Sequence, residues 1–221
     1  MAAGKLRHNK SLFENLRENY TLAGLLESDA DPNPIRQFEK WFRQVQAAGL
    51  KEPNAMALAT AASDGTPSTR IVLLKGLSEN GFVFYTNYES PKGKELAANP
   101  KAALVFYWPE LERQVRAAGR VERVSREQSE AYFHSRPRGS QLGAWASRQS
   151  EIIPGREPLE DRLRALEAEY PGEVPLPPFW GGFRLRPREI EFWQGRPNRL
   201  HDRLLYSLQQ DGSWRRDRLS P

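Results

Sequence analysis

The sequence predicts a mainly β protein, a β-barrel with peripheral helices, on three observations. From Ala55 onward, apolar residues recur with period two, as expected for strands with one face toward a core. Short turns join one predicted strand to the next, which is typical of antiparallel pairing. The helical patterns stand at the ends of these runs, so a doubly wound sheet is not expected.

Three segments have the 3.6-residue periodicity of amphipathic helices and carry helix-start signals. Asn33 can cap the first helix, with Pro34 in its first turn. Ser125 opens the second with a capping box, and Pro158 stands in the first turn of the third. The predicted helices run from Pro34 to Gly49, from Ser125 to about Ser135, and from Pro158 to Tyr170.

The predicted strands account for most of the remaining chain. Asn80-Gly81 predicts a hairpin turn between the second and third strands, because both residues tolerate positive φ. Residues 1–30 are polar and are predicted to form a mobile tail, with residues 31–221 as a single domain. The predicted strands are Ala55–Thr60, Ser68–Leu74, Phe82–Thr86, Ala102–Trp108, Arg113–Val124, Phe179–Leu185, Glu189–Trp193, Arg203–Leu208 and Trp214–Arg218.

Composition narrows the classes of function. The 221 residues include no cysteine, which excludes thiolate catalysis and cysteine-ligated metals, and the three histidines are scattered, so no metal site is predicted. No apolar run suggests a signal peptide or a membrane span, so we expect a cytoplasmic protein. The net charge of +5 is compatible with nucleic acid, but acidic residues are interleaved with the basic ones. This pattern favours a small anionic ligand, and neither a nucleic acid nor a membrane is an expected partner.

A C-terminal R-x-H-x-R pattern is the strongest local signal. Arg199, His201 and Arg203 alternate along a segment predicted to be extended, so their side chains would share one face. Two guanidinium groups and an imidazole can bind one phosphate or carboxylate. Alternatively, the pattern is a solvated basic edge strand.

Three further clusters contain phosphate-binding residue types. The strand from Arg70 to Lys75 has a cation at each end, although it also reads as a buried strand with polar ends. Ser90 can cap a short helix whose free amides face outward beside Lys92 and Lys94. Tyr132, Arg136 and Ser140 combine two hydroxyls with a guanidinium, with Ser140 expected in a turn, or they decorate a helix end. Without a catalytic triad or paired carboxylates, we expect the chemistry to come from a bound cofactor.

Taken together, the chain strongly resembles the pyridoxine/pyridoxamine 5′-phosphate oxidase family. Ten motifs occur in family order over about residues 35–221, and this order is far more specific than any one motif. They are R-I-V-L-L-K (70–75), F-Y-T-N (84–87), E-R-Q-V (112–115), Y-F-H-S-R-P (132–137), S-Q-L-G-A-W (140–145), R-Q-S (148–150), E-V-P-L-P (173–177), F-W-G-G-F (179–183), E-F-W-Q-G (191–195) and N-R-L-H-D-R (198–203).

The resemblance implies an FMN-binding split β-barrel, assembled as a homodimer with the flavin sites at the subunit interface. It implies oxidation of pyridoxine or pyridoxamine 5′-phosphate to pyridoxal 5′-phosphate, a step in vitamin B6 metabolism. Hydride passes from the substrate's C4′ to FMN, and O2 takes up the electrons to give H2O2. The substrate is then a small phosphorylated pyridine.

The family's functional residues can be carried over position by position. Arg199 and His201 would be catalytic by positioning the pyridine ring. The remaining substrate contacts would be Lys75, Tyr132, Arg136 and Ser140, with Arg17 and Tyr20 of the tail acting as a lid. The implied FMN contacts are Arg70, Ile71, Val72, Leu73, Leu74, Lys75, Tyr85, Thr86, Lys92, Gln114, Gln149, Ser150, Trp193 and Arg203.

One departure from the family pattern concerns the flavin phosphate. Pro91 stands where relatives usually carry arginine, so we expect weaker FMN retention, partly compensated by Lys92 and Lys94. Three alternatives to the oxidase remain at this point. They are a flavin or B6-phosphate binding protein without turnover, a split-barrel flavin reductase with another substrate, and a nucleic-acid-binding protein.

Overall fold

The computed structural model describes residues 19–221. It contains five α-helices in that range, which we number α1 to α5, and two short 3-10 helices at Pro109–Leu111 and Pro197–Arg199. The helices are α1 (Pro34–Ala47), α2 (Pro91–Ala98), α3 (Arg126–Ser135), α4 (Arg138–Ala146) and α5 (Glu157–Glu169). The strands are β1 (Ala55–Ala61), β2 (Pro67–Leu73), β3 (Gly76–Ser78), β4 (Gly81–Asn87), β5 (Lys101–Trp108), β6 (Arg113–Arg123), β7 (Trp180–Gln194), β8 (Asp202–Leu208) and β9 (Trp214–Arg218).

The strands form one antiparallel sheet in the order β2-β1-β5-β6-β7-β4-β3, and β8 and β9 extend it from the far half of β7. The sheet is strongly curled. In a flat sheet β5 and β4 would lie three strand spacings apart, about 14 Å. The rings of Phe106 on β5 and Phe82 on β4 are only 6.1 Å apart, and Phe38 of α1 packs against both. The curled sheet encloses the main core, which α1 closes, so the predicted mainly β barrel with peripheral helices is confirmed.

Local sequence signals explain the starts of three helices. Asn33 accepts hydrogen bonds from the amides of Ile35 and Arg36, and the predicted helix over Pro34–Gly49 ends at Ala47. Ser90 caps α2 by accepting from the Gly93 amide, and Ser125 caps α3 by accepting from the Gln128 amide. A second apolar cluster, around Phe133, Leu142 and Trp180, joins α3, α4 and α5 to the sheet.

Several expectations about local structure were wrong. The hairpin turn at Asn80-Gly81 joins β4 to the short strand β3, not to β2. Ser140, expected in a turn, lies in helix α4. The two strands predicted around residues 179–193 are a single strand, β7, whose pairing with β6 shifts by one residue opposite Ala118 and Gly119. This bulge accommodates Pro187, which has no amide hydrogen to donate.

The described end of the predicted tail packs against the sheet. Leu25 and Ala30 belong to the main core, with 3% and 7% of their surfaces exposed. The Leu25 amide donates to Asp202 at 3.0 Å, and Arg216 donates to the Ala30 carbonyl at 2.8 Å. Residues 25–30 are therefore continuous with the domain predicted to begin at residue 31. Arg17 lies outside the described residues.

Candidate active site

A single open cleft brings together most of the residues predicted to bind flavin and substrate phosphate. It has a volume of about 840 Å³ and lies between β2, β4, α2, α3 and α4. Four cations face it, and its lining includes no aspartate or glutamate. Among the predicted residues, those lining it are Arg70, Ile71, Val72, Leu73, Lys75, Tyr85, Thr86, Lys92, Tyr132, Arg136, Ser140 and Gln149.

At one end of the cleft, Lys92 is nearly buried, with 8% of its surface exposed. Its Nζ donates to Gln149 Oε1 at 2.9 Å and to Thr86 Oγ1 at 3.3 Å. Burial, and then the charge of Arg70, lower the pKa of Lys92. Both effects disfavour the charged ammonium, and an anion placed beside it would offset them.

Arg70 is held at the same end by a polar network. Its guanidinium donates to Thr60 and Ser68 and lies 3.4 Å from the Glu95 carboxylate. Burial acts to raise the pKa of Glu95, but hydrogen bonds from Thr60 and Ser68 and the charge of Arg70 hold it below its ordinary value. Glu95 therefore stays ionised and fixes the direction of Arg70.

At the other end, Arg136 follows α3 and is packed over the Trp180 ring at 4.7 Å. Its Nη1 is buried and has no hydrogen-bond partner among residues 19–221. Burial lowers the pKa of this guanidinium. Tyr132 stacks on Tyr85 at 3.9 Å and supplies a hydroxyl to the same wall. A buried donor without a partner is costly, so this end is built to receive an acceptor group.

The remaining predicted residues lie elsewhere in the subunit. Leu74 faces the groove beneath α1, and Ser150 lies in a neighbouring pocket. Gln114, Trp193 and Arg203 are directly paired across β6, β7 and β8, so they share one face of the sheet. The structure therefore divides the predicted site into the cleft and this second group, which we call the C-terminal group: Gln114, Trp193, Arg199, His201 and Arg203.

The C-terminal group differs from the predicted alternation of Arg199, His201 and Arg203 on one extended face. Asn198 and Arg199 have φ values of 56° and 62°, so the chain turns before β8. Arg203 is in β8 and donates to Glu191 at 2.7 Å. The expectation of one extended strand was wrong because Asn198 and Arg199, in the turn after Pro197, adopt left-handed conformations.

His201 is oriented by the backbone. Its Nδ1 accepts from the Arg196 amide at 3.1 Å, which leaves Nε2 to carry the proton of the neutral ring. Partial burial, followed by the charges of Arg199 and Arg203, lowers the pKa of His201. The imidazole is therefore a neutral hydrogen-bond donor at neutral pH. Its ring lies 4.6 Å from that of Trp193 and 5.6 Å from that of Tyr20.

Two family models together match most of the chain. Residues 42–169 match the model described as pyridoxamine 5′-phosphate oxidase, and residues 180–221 match the pyridoxine 5′-phosphate oxidase C-terminal dimerisation region. The chain belongs to the pyridoxine/pyridoxamine 5′-phosphate oxidase family. The first model contains every residue that lines the cleft except Trp180, and the second contains four of the five residues of the C-terminal group. This end of the chain is therefore the family's dimerisation region.

Curated relatives agree with the family models. The chain is 64% identical over 207 residues to the pyridoxine/pyridoxamine 5′-phosphate oxidase of Rubrobacter xylanophilus, covering 93% of this chain and 95% of that protein. It is 61% identical over 208 residues to the same enzyme from a Nostoc species, covering 94% and 97%. These matches span nearly the whole length of both relatives.

Two solved structures have a fold similar to that of this chain. PhzG of Burkholderia lata, crystallised with tetrahydrophenazine-1-carboxylic acid, is 31% identical, with a TM-score of 0.85 over 90% of this chain and 99% of that one. A pyridoxamine 5′-phosphate oxidase-related, FMN-binding protein of Nostoc punctiforme has a TM-score of 0.70 at 20% identity, covering 85% and 98%. The curled sheet is thus the split β-barrel expected from the sequence.

Sequence reasoning missed residues of two kinds. Some line the cleft through small or neutral side chains, namely Asn87, Pro137, Gly143, Ala144, Ser147 and Trp180. Others are carboxylates that hold the cations in place, namely Glu95 beside Arg70 and Glu191 beside Arg203. Trp180 and Glu191 stood within recognised motifs and could have been included, whereas Glu95 lies outside them and acts on Arg70 across 25 residues.

Within residues 19–221, no helix combines the length and apolarity needed to cross a bilayer.

Proposed function

We propose that this chain oxidises pyridoxine 5′-phosphate and pyridoxamine 5′-phosphate to pyridoxal 5′-phosphate with FMN as cofactor. The observation that carries this is the cleft with four cations, no acidic lining residue and an unpartnered buried guanidinium nitrogen on Arg136. Such a cleft suits two phosphate groups, one on the cofactor and one on the substrate. Curated relatives with 56–64% identity are pyridoxine/pyridoxamine 5′-phosphate oxidases.

The residues present fit FMN at the end of the cleft near α2. Lys92, Arg70 and Gln149 would hold its phosphate, and β2 would present backbone groups to the ring system. FMN, when bound, supplies the two-electron acceptor and transfers the electrons to O2, which becomes H2O2. Overall, the alcohol substrate loses two hydrogens to O2, while the amine substrate also consumes water and releases ammonia.

The substrate would be held by its phosphate and by its ring. Tyr132, Arg136 and Ser140 would bind the phosphate, with Arg136 supplying the unpartnered donor. Arg199 and His201 would orient the pyridine ring, and the neutral Nε2–H of His201 would donate to a substrate acceptor. Alignment of this kind supplies much of the rate enhancement in reactions that need little acid–base help.

Because Arg199 and His201 do not line the cleft of their own subunit, we propose that the partner subunit supplies them. Each active site of the homodimer would then combine one cleft with one C-terminal group, and FMN would lie at the interface. The dimerisation region at residues 180–221 supports this arrangement. The lid role of Arg17 and Tyr20 and a cytoplasmic location stay predictions.

Anaerobic spectroscopy tests the proposal. The protein loaded with FMN is mixed with pyridoxine 5′-phosphate without air, and the flavin absorbance is followed before and after air is admitted. Bleaching that reverses in air, with pyridoxal 5′-phosphate formed, is the expected result. A flavin that binds substrate but stays oxidised would instead identify a binding protein without turnover.

Variants separate the roles of the two groups. Arg199→Ala and His201→Ala should slow bleaching far more than they weaken FMN binding, whereas Arg188→Ala, which removes an exposed arginine of β7, should change neither. Equal losses of FMN affinity and turnover in the first two variants would contradict their assignment to the substrate.

A further inference from the structure

Residues 19–27, which we call the strap, run beside the C-terminal group. The Tyr20 ring meets Trp193 at 5.7 Å and His201 at 5.6 Å, edge-on to both. The strap belongs to no helix or strand, so no regular backbone hydrogen bonding holds it in place. The position of Tyr20 against the imidazole must therefore come from specific contacts made by the strap.

Glu112 makes the contacts nearest to Tyr20. One oxygen of its carboxylate accepts from the Thr21 amide at 3.1 Å, and the other accepts from the Leu22 amide at 3.1 Å. Glu112 is 9% exposed, and the described chain brings no cation into an ion pair with it. The Glu112 carboxylate is thus largely shielded from water, and two backbone amides of the strap serve as its hydrogen-bond donors instead.

The backbone of Glu112 is itself fixed. It has a φ of 54°, a left-handed conformation that is uncommon for a residue with a side chain. Its amide donates to the Pro109 carbonyl at 2.9 Å, and its carbonyl accepts from the Gly195 amide at 2.7 Å. These bonds belong to the main chain, so a change of side chain leaves them in place. An uncommon conformation that is held this firmly is a sign of function at that position.

Gly195 completes the seat for Tyr20. A Cβ added there would lie 2.7 Å from Tyr20 Cγ and 2.9 Å from Glu112 Cβ. The strap, Glu112 and the end of β7 therefore pack so closely that only glycine fits at position 195.

The far end of the strap is anchored separately. The Leu25 amide donates to Asp202, and Arg218 donates to the Leu25 carbonyl at 2.9 Å. Arg218 also pairs with Glu27, a contact that lowers the pKa of Glu27 to about 2. Loss of Glu112 would therefore release residues 20–22 while residues 25–27 stay bound.

We propose that Glu112 is a positioning residue for the oxidation, acting through Tyr20. By fixing the Thr21 and Leu22 amides, it places the Tyr20 ring against His201 and so restricts the imidazole that orients the substrate. This role rests on the proposed function, because it assigns His201 to substrate binding. It predicts a larger effect on turnover than on FMN binding, because Tyr20 also contacts Trp193, one of the implied FMN contacts.

The test compares Glu112→Gln with Glu110→Gln, a control that removes the same charge from an exposed residue two positions earlier. Glutamine keeps the size of the side chain but offers only one acceptor oxygen to the two amides. Hydrogen exchange of a peptide covering residues 19–24 reports the clamp without any ligand. Steady-state kinetics and FMN titration on the dimer report its consequence.

We expect Glu112→Gln to lose exchange protection at residues 21 and 22. We expect kcat/KM to fall about tenfold, the size expected for one charge-assisted contact, and FMN affinity to change by much less. Glu110→Gln should match the wild type in all three. In a Tyr20→Ala background, Glu112→Gln should cause no further loss of kcat/KM, because the two residues act in series.

Each outcome has a distinct meaning. Unchanged protection in Glu112→Gln would overturn the clamp. Lost protection with unchanged kcat/KM, or losses that add in the double variant, would overturn the positioning role. Lost protection in a protein whose wild type oxidises neither substrate would leave the clamp standing and reject the proposed function.

Discussion

Replacing Lys92 with methionine tests the cleft most directly. The Lys92 ammonium is nearly buried and is bonded to the neutral oxygens of Gln149, Thr86 and Ser90. Methionine keeps most of the volume and removes the charge. If the ammonium binds the FMN phosphate, its loss removes a charge-assisted hydrogen bond worth about 1.5–3 kcal/mol. The dissociation constant for FMN should then rise about 10- to 100-fold.

The same substitution has the opposite expected effect on the ligand-free protein. Burial lowers the pKa of Lys92, so folding without a ligand works against its charge. Removing that charge should leave the unfolding temperature unchanged or higher when no FMN is present. If Lys92 instead served only to stabilise the fold, its replacement would lower the unfolding temperature.

Fluorescence titration of FMN and thermal unfolding with and without FMN measure both effects. Lys94→Met is the matched control, because Lys94 is exposed on the same helix and does not line the cleft. It should change FMN affinity by no more than about threefold, as expected for an exposed charge. Equal weakening in both variants would refute the reasoning, since net charge alone would then explain the affinity.

Three further predictions concern neighbouring groups. The pKa of His201 is below its ordinary value, so kcat/KM should stay level from neutral pH down to the ordinary imidazole pKa of about 6.5 and fall only below it, as the ring protonates. His201→Asn should abolish this acid limb. The pKa of Glu95 is also lowered, so its contribution to stability is present at neutral pH and is lost as the pH falls below about 4.5. The difference in unfolding free energy between wild type and Glu95→Gln should therefore shrink over that range. Pro91→Arg should tighten FMN binding, measured by the same titration, and an unchanged dissociation constant would show that Lys92 suffices.

Local signals predicted those elements whose stability is local. The N-cap at Asn33 and the capping box at Ser125 each predict a helix start, and the runs with period two predict the strands. Helix α4 gave no such signal, because Pro137 caps it without a side-chain bond and two glycines lie within it. It is held by tertiary contacts instead, including the buried Leu142 and the bond from Trp145 Nε1 to the Pro175 carbonyl at 2.7 Å.

The candidate site was predictable in its residue types but not in its division. The motifs named the cations and hydroxyls that line the cleft, because each type has a preferred ligand. Which of them share one cavity depends on the register of β6, β7 and β8, which no motif encodes. The turn at Asn198 was readable, since asparagine after proline favours a left-handed conformation, and it separates Arg199 from the strand that holds Arg203.

The pairing of charges explains why a basic chain can be specific for small anions. Away from the cleft, several arginines pair with carboxylates, as Arg203 does with Glu191 and Arg218 does with Glu27 and Asp202. In the cleft, Lys92 and Arg136 have no carboxylate within ion-pair distance in residues 19–221. A buried ammonium and a buried guanidinium nitrogen without an anionic partner make the ligand-free state costly, and a ligand that carries phosphate removes that cost. Affinity for a phosphate is therefore expected to be concentrated at Lys92 and Arg136, where the fold leaves positive charge uncompensated.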